Sequence, residues 1–245
     1  FIWRGSMRRD QNPHRSFQLF VDAREATLAY DPAWPPLTEL AATVWVDDGR
    51  TFGRARRARS AGVDLGDLMV RALPRPGGVR LDVASHLSGD ASAAESLLAD
   101  SPLAELTREV FADWRFGGPV DGDLAISLEL GEETTPPWID LDLALDGVEA
   151  RVAQVDLPLS AIEGRLRYRS EAGFEGSRAV LAALGGRIEA EARPAGRRGL
   201  DLGLAGDIEA RAVADWLKLP LLRFAEGRAP VSGSLRIDGG GAAGL

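Results

Sequence analysis

Three segments of the chain repeat one phrase: an aliphatic residue, a glycine two positions on, then large apolar residues at every second place. They are Val120, Gly122, Leu124, Ile126; Ile162, Gly164, Leu166, Tyr168; and Val231, Gly233, Leu235, Ile237. Successive side chains of a strand point to opposite faces, so each quartet shares one face. The intervening residues, among them Asp121, Asp123, Glu163, Arg165, Arg167, Ser232, Ser234 and Arg236, occupy the other. The same alternation recurs at Leu40 to Val46, Val79 to Leu87, Ile139 to Leu145, Ile188 to Ala192 and Leu200 to Ile208. Connections are short and rich in turn residues, which favours antiparallel neighbours over long crossovers. The pattern predicts a mainly β protein: one long antiparallel sheet, apolar on one face, curled as an open groove or taco, with one or two short helical insertions. A sheet this long with one apolar face must close, fold over, or bind something hydrophobic.

Breaks in the alternation divide the chain. Residues 1–15 read as a linker or truncated element, 16–90 as a first β segment, 91–116 as a helical insertion, and 117–245 as a second β segment continuing the same sheet. In the first segment, Asp31, Pro32, Ala33, Trp34, Pro35 and Pro36 cannot lie within a sheet and form a rigid corner. Asp47, Asp48 and Gly49 predict a hairpin turn, a second hairpin is read over Val63 to Val70, and Pro74 to Gly78 make another turn. In the insertion, Ala91 to Ala99 reads as a short helix. Ser101 and Pro102 suit a second helix start, followed by Leu103, Leu106, Val110 and Trp114 at helical spacing. Ala212, Val213, Trp216 and Leu217 form another amphipathic segment. The glycines of the repeated phrase either let the sheet curl or mark bulges.

The chain has 245 residues and a formal net charge of -8, which disfavours a general nucleic-acid surface. It has no cysteine, so disulfides, thiolate metal sites and cysteine nucleophiles are excluded. Of the basic residues only Lys218 is lysine. No stretch reaches the roughly 20 apolar residues of a membrane-spanning helix. A chain that opens on Phe1 and closes on a glycine-rich run reads as an internal piece of a longer protein.

Candidate chemistry is sparse. His14 and His86 are the two histidines and read as solvated, too few for a triad or a histidine metal centre. Asp121 with Asp123 and Asp140 with Asp142 could in principle hold Ca²⁺, but acids on the wet face of a strand are commonplace. No phosphate loop or nucleophile elbow is present. Arg54, Arg56, Arg57 and Arg59 form the one basic run, read as a charged edge strand that discourages sheet-to-sheet association. Trp34, Trp45, Trp114, Trp138 and Trp216 are scattered and read mostly as core anchors. No catalytic residue, cofactor or metal ligand is assigned.

The passage Tyr30, Asp31, Pro32, Ala33, Trp34, Pro35, Pro36, Leu37 resembles the Tyr-x-Pro-x-Trp-Pro motif of the YhdP branch of AsmA-like proteins. The Ser101, Pro102, Leu103 helix start, the repeated aliphatic-x-Gly-x-Leu strands and the segment from Asp207 to Trp216 are also similar to that family. The resemblance implies a non-catalytic, periplasmic β-rich body of an inner-membrane-anchored protein of the Gram-negative envelope, with its anchor outside this piece. It also implies a bridge-like lipid transfer role, in which phospholipid acyl chains pass along a hydrophobic groove between the inner and outer membranes. Other envelope proteins are possible partners, and no nucleic acid is expected.

If the sheet curls into such a trough, its lining is expected at Val79, Leu81 and Val83; Leu124, Ile126, Leu128 and Leu130; and Ile139, Leu141, Leu143 and Leu145. Leu166 and Tyr168, Ile188, Leu200, Leu202 and Leu204, and Leu235 and Ile237 complete it. The alternative is a structural or assembly module for outer-membrane biogenesis whose sheet closes on its own core. A carbohydrate-binding or hydrolytic β domain ranks last, because no carboxylate pair of glycosidase type can be singled out.

Overall fold

A computed structural model of the chain describes residues 2–4, 16–101, 104, 114–131, 135–195, 199–219 and 226–237. Its strands are β1 (Ile2–Arg4), β2 (Ser16–Leu28), β3 (Leu37–Asp47), β4 (Arg50–Ser60), β5 (Val63–Arg75), β6 (Gly78–Asp90) and β7 (Trp114–Gly117). After these come β8 (Pro119–Gly131), β9 (Trp138–Val152), β10 (Leu157–Arg169), β11 (Arg178–Ala183), β12 (Gly186–Ala195), β13 (Gly199–Glu209) and β14 (Arg228–Ile237). Helix α1 spans Ala91–Ala99 and α2 spans Ala210–Trp216.

Every pairing is antiparallel, and the strands follow chain order from β1 to β14, except that β6 pairs β8 and β7 adds to β9. The sheet is open: β1 and β14 are its two ends. Hairpin chemistry explains the meander. Asp48-Gly49, Ala61-Gly62 and Leu184-Gly185 each connect two strands with both residues at positive φ, the two-residue turn whose twist matches that of the strands.

Several local expectations change. Residues 63–70 are part of the single strand β5, because the second hairpin turns at Ala61-Gly62 instead. Within residues 1–15, read as a linker or truncated element, Ile2–Arg4 form a short strand that pairs with Ser16–Gln18. Trp114 begins strand β7 and pairs with Val152 rather than ending a helix; a tertiary ladder outweighs its local spacing. Leu103, Leu106 and Val110 of that expected helix, and His14, lie outside the described residues. The arginine run lies on β4, an interior strand between β3 and β5. Its charges meet outer-face acids, Arg54 with Asp67 at 3.2 Å and Arg57 with Glu39 at 3.4 Å, so they guard no edge.

The ends of the strands fall into two groups. At one end lie the connections β2 to β3, β4 to β5, β6 to β8 and β9 to β10. Near this end the ladder slips at Ala23/Ala26 in β2, Thr38/Ala41 in β3, Gly66/Met69 in β5 and Ser160/Glu163 in β10. The extra residues there, Glu25, Glu39, Asp67 and Ala161, sit in left-handed backbone with φ of 53°, 49°, 46° and 47°. Such bulges sharpen local twist and bend a strand, so a row of them curls one end of the sheet more tightly than the other.

The three phrase glycines differ. A Cβ on Gly122 would collide with the backbone carbonyl of Asp142 on β9, and one on Gly164 with that of Arg178 on β11. Gly164 also adjoins the β10 bulge and has φ +148°. Nothing crowds Gly233 on the end strand β14. The first two glycines permit close approach of neighbouring backbone, a role that period-two patterning cannot distinguish from a bulge.

Candidate functional site

Cross-strand register puts the expected lining residues on one face. Leu81 pairs with Leu128, Val83 with Ile126 and Ile126 with Ile139. Val79 pairs with Leu130, Leu124 with Leu141, Leu141 with Tyr168, and Leu143 with Leu166. Leu145 of β9 faces Gly164 of β10; beyond β10, Ile188 faces Leu181, and Leu200, Leu202 and Leu204 face Pro194, Ala192 and Ala190. Leu235 and Ile237 hold backbone register with Leu202 and Leu200, while their side chains lie outside what the structure describes. Gly122 stands between Leu87 and Leu143, and the missing side chain leaves those two leucines in one buried cluster.

The face is not uniform. At the bulged end it is covered by the chain itself. Ala91 of α1 packs with Val120, Val148, Ala150, Leu159 and Ile162, and Trp114 and Phe116 of β7 flank that cluster. Ala93, Ala94 and Leu97 of α1 pack on a second cluster containing Val63, Leu65, Leu68, Leu87 and Leu143. Val63 is 2% exposed. Toward the opposite end the cover thins: Val79, Leu81, Val83 and Leu128 are half-buried, and Leu130 is 51% exposed.

Helix α1 is pinned where it enters. The Asp90 carboxylate accepts from the Ser92 amide at 2.9 Å, the Ser92 hydroxyl and the Gly118 amide at 3.0 Å, so it caps the helix and ties it to the start of β8. These donors, the Ser92 hydroxyl foremost, hold the Asp90 carboxyl below its ordinary range. Glu95, in the middle of the helix, accepts from the Phe116 amide at 3.4 Å and pairs with Arg115.

A third cluster joins the two parts of the face. Ile126 and Ile139, 5% and 4% exposed, are covered by Trp34 from the proline-rich corner, Leu98 from α1, and Tyr168. The corner is held by an Asp31 carboxylate that accepts from the Ala33 amide at 2.7 Å and by the Trp34 amide donating to the Asp31 carbonyl. The Ser60 hydroxyl reaches the Pro35 carbonyl at 3.4 Å. Tyr168 in turn meets Phe174 edge-on at 5.1 Å, and Phe174 packs against the Ala192/Leu200 cluster. Sequence spacing does not reveal Trp34, Leu98 or Phe174 as parts of this face, because none lies on an alternating strand; the one signal was a large aromatic in a stiff corner.

The opposite face is a ladder of opposite charges. Asp142 pairs with Arg165 and Arg167, Asp140 with Arg169, and Glu191 with Arg178 and Arg193. His86 is clasped between Asp123 at 3.1 Å and Asp121 at 3.0 Å, and those bonds raise its pKa, Asp123 contributing most. Ser127 donates to Asp82 and, with Arg80, holds that carboxyl below its usual range. The two acid pairs weighed for Ca²⁺ are thus engaged by histidine and arginine side chains. Trp45 and Trp138 are corrections to the core-anchor expectation: both lie on this outer face, and Trp45, 5.8 Å from Phe52, is 47% exposed.

What this arrangement defines is an open, one-sided apolar β sheet whose polar groups are spent on structure. The sequence profile of the YhdP protein family matches residues 1–243, and the chain belongs to that family. It is a family of envelope proteins, non-enzymatic and associated with lipid transport or assembly. No curated protein and no solved structure matches the chain. Among the described residues, no helix is long and apolar enough to cross a membrane.

Proposed function

We propose that this chain is a periplasmic stretch of a conduit that carries phospholipids between the inner and outer membranes, its acyl chains lying against the apolar face. The observation that carries this reading is the half-open row of Val79, Leu81, Leu128 and Leu130 in a sheet that does not close. Apolar contact is non-directional, so it holds an acyl chain without fixing its position, as sliding requires. Fully burying one aliphatic side chain is worth about 1.5–3 kcal/mol, enough for several such residues to retain a chain weakly at each place. The membrane anchor belongs to another part of the protein in this reading.

The test is native mass spectrometry with lipid extraction on purified protein. Phospholipid should co-purify, and a folded Leu128→Asp variant should lose most of it. A second reading, a self-packed assembly module for the outer membrane, is favoured by the covered end, where the chain buries its own face under α1. Lipid-free protein purified without detergent would favour it over the conduit.

A further inference from the structure

We propose that Trp34 is a plug in the groove: its ring occupies the section of apolar face over Ile126 and Ile139 that an acyl chain must cross, and the proline corner lifts to let the chain pass. This rests on the conduit reading and concerns one section of the same face.

The sheet order makes that section central. Ile126 and Ile139 face each other on β8 and β9, between the half-open row on β6 and β8 and the apolar residues of β10 to β14. An object sliding across the strands from one side to the other meets this pair. Both isoleucines are nearly inaccessible, yet their neighbours along β8, Leu128 and Leu130, are progressively more exposed. The difference is the cover. Trp34 arrives from the connection between β2 and β3, four ladder steps from β8, and packs there with Leu98 and Tyr168. An indole ring is flat and largely apolar, so the surface it covers is suited to a hydrocarbon.

The two covering elements are held unequally. Helix α1, which brings Leu98, is anchored by Asp90 to Gly118, just before β8, and by Glu95 to Phe116 of β7. The corner that brings Trp34 is stiffened by Pro32, Pro35 and Pro36. Among the described residues, the hydrogen bond that ties it to the rest of the sheet is that of the Ser60 hydroxyl to the Pro35 carbonyl, and the Asp31 bonds are internal to the corner. A stiff corner with a weak tie moves as a unit, so Trp34 is the element of the cover that can leave without unfolding the helix.

The chain has no cysteine, so a single introduced thiol is a clean probe. Ile139→Cys and Leu130→Cys would each be alkylated with N-ethylmaleimide in the 245-residue chain carrying Trp34 or Trp34→Ala, with and without phosphatidylethanolamine/phosphatidylglycerol vesicles. Expected is slow labelling of Ile139→Cys beside Trp34, at least about tenfold faster labelling in Trp34→Ala, and restored protection by vesicles; Leu130→Cys labels fast in both backgrounds and is protected by vesicles. Asp31→Ala, which loosens the corner while leaving the ring, should give a smaller acceleration and serves if Trp34→Ala fails to fold. Equal Ile139→Cys rates in all backgrounds overturn the plug. Vesicle protection at Leu130→Cys but not at the uncovered Ile139→Cys overturns the plug and leaves the conduit standing. Protection at neither thiol removes the conduit reading and the plug with it.

Discussion

The two ends of the apolar face are built from the same alternating pattern and end in different states. Leu65 and Leu130 are both large, apolar and inward by register, yet Leu65 is buried beneath α1 while Leu130 is half-exposed at the far end of β8. The difference lies in what covers them. Near Leu65 the strands bulge and bend over a helix that leaves β6 and returns as β7; near Leu130 the ladder is regular up to the Pro76-Gly77 turn. One end is covered by the chain itself, and the other stays half-exposed.

The largest effect expected from this contrast comes from placing one charge at each end. Leu65→Asp should cost at least about 3 kcal/mol, since it combines the loss of a buried leucine with an unpaired buried carboxyl. Leu130→Asp should cost under about 1 kcal/mol. Urea titration of both checks this, and equal losses would erase the distinction between the ends.

Removing the cap of the covering helix is expected to have a smaller effect, confined to one end. Asp90→Ala should loosen α1 and its tie to Gly118, lowering the melting temperature modestly and raising amide exchange in α1 and the start of β8, while exchange around Leu128 stays as it was. Because the Asp90 pKa is depressed, its stabilisation is present above the ordinary carboxylate range and is lost as pH falls through its folded value. Exchange changes spread evenly over the sheet would mean that the ends do not behave separately.

The smallest effect concerns the outer face behind the covered end, where His86 bridges to the acids of β8. Its raised pKa means that protonation favours the folded state: the benefit is fully present below the unfolded value of about 6.5 and is lost as pH rises through the folded one. The melting-temperature gap between wild type and His86→Gln should therefore be widest at about pH 6 or below. It should close in alkaline buffer, and a gap that widens with pH would contradict the assignment. Exposure of the ring keeps the effect small.

Much of this was legible in the sequence. Period-two alternation assigns a side chain to a face whatever its partner strand, so the inward rows from Val79 to Leu204 and the outward acids and arginines were identifiable, as were the proline corner, the Asp48-Gly49 turn and α1. Those are local properties, set by backbone sterics and side-chain direction within a few residues. What only the tertiary structure decided is non-local. The skip from β6 to β8, the docking of Trp114 on β9, the interior position of the arginine strand and the folding of Trp34 over Ile126 and Ile139 all depend on which segments meet. The bulges that bend the covered end fall on Glu25, Glu39, Asp67 and Ala161, ordinary residues held at positive φ by the ladders on either side rather than by their own preference. Alternation thus determines that the chain has an apolar face; pairing, bulges and one inward-folded corner determine how much of it stays open.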